Sequence, residues 1–250
     1  MADSLVGLPN SLKDQMEMDP IKNDRGLITT SGVIIALKYT DGIILATDHV
    51  VCYGSQFKFN DVPHTVELSP TCLFAATGEL AHFQELTKTV SSCVRSEQCK
   101  SGGRDLTSAE IFTLIKRLLY QHRSKIQPLF MQAVIAGVDG DTSFLGVCDE
   151  YGTNWEDNII ATGIARYMRG LQLDQAVGKS KEEVIEAIRQ VAIGVKARSI
   201  KGVGDWDIFD ITKNGIKNIG VLDAQPRWAG FARESAADAT DGWTRVESIP

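Results

Sequence analysis

Apolar positions first gather into two short β-branched runs, 33–39 and 42–48, joined by Thr40-Asp41-Gly42. Asp-Gly between such runs predicts a β-hairpin, since glycine tolerates the backbone that a tight turn between twisted strands requires. Further short runs at 56–59, 65–68 and 73–77 predict strands. The period then lengthens. Leu80, Phe83, Leu86, Val90 and Val94 recur every three or four residues and predict an amphipathic helix. A second helix opens at Thr107-Ser108-Ala109-Glu110, where Thr107 can accept from the N3 amide while Glu110 reaches back to the cap. Its inward face is Ile111, Leu114, Ile115, Leu118 and Leu119, and it must end before Pro128, which lacks the amide a helix interior needs.

The alternation returns at 132–138 and 143–148, linked by Asp139-Gly140-Asp141, with a further turn at Tyr151-Gly152. A third helix is expected over 163–173. A fourth begins with a second capping box, Ser180-Lys181-Glu182-Glu183, and its buried stripe is Val184, Ile185, Ile188, Val191 and Val195. The last pair of strands, 208–212 and 216–221, turns at Asn214-Gly215. The order is strands, two helices, strands, two helices, strands. Helices with one apolar face and strands rich in β-branched residues are both satisfied by two packed sheets with a helix layer outside each, an αββα sandwich of the α/β (α+β) class. Periodicity alone permits other α/β arrangements.

Composition narrows the role. A chain of 250 residues, 43% hydrophobic, can fill one large core. The formal charge of −6, with Lys and Arg scattered, argues against nucleic acid, because phosphate binding needs a clustered basic face. No apolar run approaches the ~20 residues of a membrane span, and no basic start followed by an apolar stretch marks a secretory signal. The five cysteines, Cys52, Cys72, Cys93, Cys99 and Cys148, contain no C-x-x-C pair, which reads as reduced thiols of a cytosolic or nuclear protein without a zinc site. Cys72 and Cys148 lie in apolar runs and are expected to be buried. Residues 1–28 are polar and aperiodic, broken by Pro9, Asn10, Pro20 and Asn23, and read as an extension outside the core. The stretch after Val221 is also aperiodic and holds Trp228, Phe231 and Trp243, side chains of the kind that anchor interfaces.

The first hairpin resembles the N-terminal hairpin of the proteasome β subunits, in which a chain-terminal Thr opens the first strand and an Asp closes the second. Cys52-Tyr53-Gly54-Ser55, Ala75-Ala76-Thr77-Gly78, Ala161-Thr162-Gly163, Tyr167 and Ala197-Arg198-Ser199 continue the likeness over residues 29–228. The run Arg123-Ser124-Lys125-Ile126-Gln127-Pro128-Leu129 is similar to that of the inactive seventh β position of the eukaryotic 20S core particle. The resemblance implies the fold of N-terminal-nucleophile (Ntn) hydrolases, no cofactor and no metal. It implies a propeptide at 1–28, a β-type domain at 29–222 and an inter-subunit arm at 223–250. The implied role is a structural one in ubiquitin- and ATP-dependent protein degradation, in cytoplasm and nucleus. The implied partners are the first and sixth β subunits, the α ring, and the opposite β ring through the arm.

Proteasome-type hydrolysis needs a Thr hydroxyl, a free α-amino group on the same residue as base, and a lysine that lowers nearby proton affinities. Aligned on Lys38 and Asp48, the Thr position falls on Gly32, the lysine position on His64 and a supporting acid on Lys196, while Asp48 and Ser199 remain. Loss of the nucleophile from such a set costs about a million-fold in rate, near 8 kcal/mol. No catalytic residue is therefore assigned. The alternative is a divergent threonine peptidase that uses Thr29 or Thr30 after processing. These registers move the lysine position onto Asp61 or Val62, and Ile28 precedes Thr29 where active subunits carry Gly-Thr. His64 reads as a polar residue at a strand start, His49 and His82 have no partner at metal-ligand spacing, and Asp139-Gly140-Asp141 reads as a turn rather than a calcium loop.

Overall fold

The computed structural model describes residues 29–54, 56–168, 170–199 and 204–225. The extension at 1–28 and the aromatics Trp228, Phe231 and Trp243 lie outside the described residues. The strands are β1 (Thr29–Ser31), β2 (Ile34–Tyr39), β3 (Gly42–Asp48), β4 (Val51–Tyr53), β5 (Gln56–Phe59), β6 (Thr65–Ser69), β7 (Cys72–Glu79), β8 (Met131–Asp139), β9 (Thr142–Cys148), β10 (Asn154–Glu156), β11 (Ile159–Ala161), β12 (Trp206–Thr212) and β13 (Gly215–Val221). The helices are α1 (Leu80–Lys100), α2 (Ser108–Ser124), α3 (Gly170–Ala176) and α4 (Lys181–Arg198).

The strands form two antiparallel sheets. One runs β10-β9-β8-β7-β1-β4-β5, with β6 also on β7, and the other runs β11-β2-β3-β12-β13. Period-2 alternation sends successive residues of each central strand to opposite faces, and both faces are covered. On β2, Ile35 and Leu37 meet Val184, Ile188, Val191 and Val195 of α4. Ile34 and Ala36 instead meet Leu73, Ala75, Val134 and Leu145 across the gap between the sheets. The outer face of the larger sheet packs Phe74, Ala133 and Ile135 against Phe83, Leu86 and Val90 of α1 and Ile111, Ile115 and Leu119 of α2. Three apolar layers between four structural layers make the expected αββα sandwich.

Both expected capping boxes are formed. Thr107 and Ser180 accept from the N3 amides of Glu110 and Glu183, whose carboxylates reach back to the caps. The expected helix over 163–173 is corrected to two pieces, a 3-10 turn at Gly163–Tyr167 and α3. Met168, at φ −115°, leaves the helical conformation and its amide closes back on Ala165 O. The first hairpin turns on Thr40-Asp41, and neither Asp41 nor Gly42 has positive φ. Gly42 is needed for a different reason, since a Cβ there would stand 2.2 Å from Ile211 O on the neighbouring β12. At the far end, Leu222 and Ala224 are buried in the α4 layer and the Leu222 amide donates to Trp206 O at 2.7 Å. The packed body therefore runs to Ala224 rather than stopping at 222.

Candidate functional site

Gly32 lies where the chain leaves one sheet for the other. Behind it, β1 is held on both sides, with Ser31 opposite Val51 of β4 and Gly78 of β7. Ahead of it, the Val33 amide donates to Asp48 Oδ1 at the end of β3. Gly32 has φ +88°, a conformation that disfavours a side chain, and its surroundings are closed. A Cβ would meet Thr77 Cγ2 at 3.0 Å, Ala76 O at 3.2 Å and His64 Nδ1 at 3.4 Å. From the other side Gly163 approaches so closely that its own Cβ would lie 2.7 Å from Gly32 O. The position aligned with the threonine thus has neither a hydroxyl nor space prepared for one.

The aligned residues do converge here. Asp48 is fully buried and accepts the Val33 amide on Oδ1 and the Val50 amide on Oδ2, the latter at 3.3 Å. Burial pushes its carboxyl up to about 7, opposed by those amides and by the charge of Lys196. His64 is also fully buried rather than a surface polar residue, with Nδ1 at 3.8 Å from Asp48 Oδ1 and its carbonyl accepting the Ala76 amide. At 3.8 Å the ring does not hydrogen-bond the carboxylate. Burial pushes the imidazole down to about 4, so near neutral pH the lysine-aligned position carries no charge. Lys196, on the inner face of α4, is 9% exposed, and burial lowers its pKa against the opposing charges of Asp205, Asp223 and Asp48. Ser199 caps α4, its amide donating to Val195 O.

Two further hydroxyls near this junction, on Thr30 and Thr162, are poorly placed for chemistry. Thr30 Oγ1 in β1 and Thr162 Oγ1, whose own amide donates to Ile34 O, are buried with no hydrogen-bond partner among the described residues. Neither is hydrogen-bonded to a side chain that could serve as its base.

The remaining flagged residues serve local structure. His49 Nε2 lies 3.1 Å from Asp207 and Nδ1 3.7 Å from Asp61. His82 Nδ1 lies 3.0 Å from both Glu79 and the Phe130 amide. Asp139 closes β8 just before the turn and takes a role sequence reasoning missed, accepting the amide and hydroxyl of Ser108 at the start of α2. Its separation of 31 positions from Ser108 left no local signal for that contact. Burial pushes the Cys72 and Cys148 thiols up to about 12, while Cys99 is exposed. Among the described residues no three His, Cys, Asp or Glu side chains cluster as a metal site would require.

A family model described as Proteasome subunit matches residues 28–202. The chain belongs to the proteasome subunit family. It is 31% identical over 177 residues to the proteasome subunit beta type-4 of Dictyostelium discoideum, covering 71% of this chain and 66% of that one. It is 25% identical over 213 residues to the proteasome subunit beta type-4 of Xenopus laevis, covering 84% and 88%. It is 26% identical over 218 residues to the probable proteasome subunit beta type-7 of Schizosaccharomyces pombe, covering 84% and 83%. The sandwich is accordingly the Ntn-hydrolase fold of that family, and this proteasome subunit carries Gly32 at the junction where the active members are expected to carry their nucleophile.

Proposed function

We propose that this proteasome subunit is a non-catalytic β subunit of the 20S core particle, occupying the seventh β position and contributing to ring assembly and ring pairing. The carrying observation is Gly32, held at φ +88° with Thr77, Ala76 O and His64 crowding the place of a side chain. In this reading its neighbours are the first and sixth β subunits and the α ring, with the opposite β ring reached by the segment beyond 224. Exposed Phe57 and Phe59 on edge strand β5, and Tyr167 at the end of the 3-10 turn, offer anchors for such contacts. The particle would act in ubiquitin- and ATP-dependent protein degradation, in cytoplasm and nucleus. Residues 1–28 form a propeptide or extension whose boundary with the body is supported by β1, since Thr29–Ser31 pairs with both β4 and β7.

An epoxyketone, which couples to an N-terminal threonine hydroxyl and amine, tests the reading when applied to the assembled particle. Mass analysis should find this chain unlabelled while the active β subunits are modified. Adducts on Thr29 or Thr30 would establish the peptidase alternative instead. Recovery of the endogenous chain as a monomer by native mass would overturn the assembly role.

A further inference from the structure

The second half of α2 is basic within an acidic chain. From 116 to 125 it carries Lys116, Arg117, Arg123 and Lys125 and no Asp or Glu, whereas the whole chain has a formal charge of −6. An open groove of about 510 Å³ runs between this helix and the turn from β9 to β10, lined by Lys116, Arg117, Tyr120, Gln121, Gly152 and Asn154. The Arg123 guanidinium stacks over the exposed Tyr120 ring, 5.6 Å from its centroid. Gly152, at φ +83°, lets the turn lie close to that wall, since a Cβ there would stand 3.1 Å from Tyr120. Among the described residues no carboxylate lies within ion-pair distance of Lys116 or Arg117. Asp149, at the same turn, uses its carboxylate on the Tyr151 and Thr153 amides. An unpaired cationic groove with one aromatic wall suits an extended acidic segment interleaved with apolar side chains.

The sheet register indicates where such a segment comes from. Thr30 pairs with Glu79, the Glu79 amide donates to Phe130 O, and Cys148 pairs with both Ala133 and Asn154. The start of β1 and the β9–β10 turn therefore lie at the same end of the larger sheet, four strand steps apart, or about 19 Å at ~4.8 Å per step. The chain preceding Thr29 must leave from that end. Residues 20–28 alone span roughly 30 Å when extended, enough to bring Asp14-Gln15-Met16-Glu17-Met18-Asp19 over the groove. This stretch has three carboxylates, no basic residue, and two thioethers suited to an aromatic wall. The other segment outside the body departs after Gln225 from the opposite sheet, where Leu222 is bonded to Trp206.

We propose that residues 14–19 of the N-terminal extension dock in the groove between α2 and the β9–β10 turn. The inference does not depend on the proposed function, since both partners belong to one chain. A photoreactive benzophenone residue placed at Gln121 of the full-length chain, with intact mass confirming residues 1–28, should crosslink to peptides containing 14–19. Lys116→Glu with Arg117→Glu should lower that yield by about tenfold. Asp14→Lys, Glu17→Lys and Asp19→Lys together, all outside the described residues, should lower it equally. Combining both sets should restore at least half of the original yield. Crosslinks only to another subunit or another part of the chain, a yield indifferent to charge reversal, or failure of the combined variant to recover would each overturn the proposal.

Discussion

The closed surroundings of Gly32 make a quantitative claim that the smallest possible side chain can test. In Gly32→Ala the new methyl would stand 3.0 Å from Thr77 Cγ2 and 3.2 Å from Ala76 O, at φ +88°. Left-handed backbone costs an L-residue about 1–2 kcal/mol, and overpacking a filled interior adds about 1–3 kcal/mol. Gly54→Ala is the matched control, because Gly54 has φ +62° and a Cβ there meets nothing within 4 Å. The expected losses are about 2–5 kcal/mol for Gly32→Ala and about 1–2 kcal/mol for Gly54→Ala. At roughly 2–4 °C per kcal/mol for a chain of this size, the two melting temperatures should differ by several degrees. Urea unfolding followed by the fluorescence of Trp206, which is fully buried, measures both losses. Equal losses, within ~0.5 kcal/mol, would mean that the site is open after all and that a nucleophile's side chain could be seated there.

Truncation after Gln225 should leave the stability of the body within about 1 kcal/mol of the full chain, because the buried Leu222 and Ala224 are kept. Truncation after Ile219 removes both and should cost about 3–5 kcal/mol, so a ring-pairing defect can be assigned to the tail only with the longer version; equal stabilities would refute that packing. The paired titrations of Asp48 and His64 should nearly cancel in the wild-type chain. Asp48, raised from 3.8 to about 7, contributes stability that is full below pH 4 and lost as pH rises to 7, roughly 4 kcal/mol. His64, lowered from 6.5 to about 4, contributes stability that is full above pH 6.5 and lost as pH falls to 4. His64→Gln should therefore expose a fall in unfolding free energy with rising pH, and Asp48→Asn a rise; slopes of the same sign in both variants would contradict their burial.

Long periodic segments were legible because their pattern is written in the chain. The apolar stripes of α1, α2 and α4, and the caps Thr107 and Ser180, are local signals that packing only had to accept. The missed strands β1, β4, β10 and β11 have three residues each, too few to display a period, and exist because long neighbours pair with them. Gly42 was read as a turn residue, but its need for hydrogen in place of Cβ comes from Ile211, 169 positions away. The candidate site shows the same division. That Gly32 lacks a hydroxyl is plain from the sequence, whereas the full burial of His64 and the approach of Gly163 are products of sheet packing.

Asp48 has a structural role that is sufficient to hold an acid at this position. Its carboxylate holds the Val33 amide just after the crossover from the first sheet and the Val50 amide just after β3, while its own amide donates to Val33 O. These bonds fasten the two chain segments that lead between the sheets. An apolar replacement would leave both amides buried without an acceptor, at about 1–3 kcal/mol each. That structural demand is independent of any reaction at Gly32. His64 and Lys196 have no comparable obligation to the backbone, because their side chains accept from no amide, so the fold constrains those positions less than it constrains Asp48.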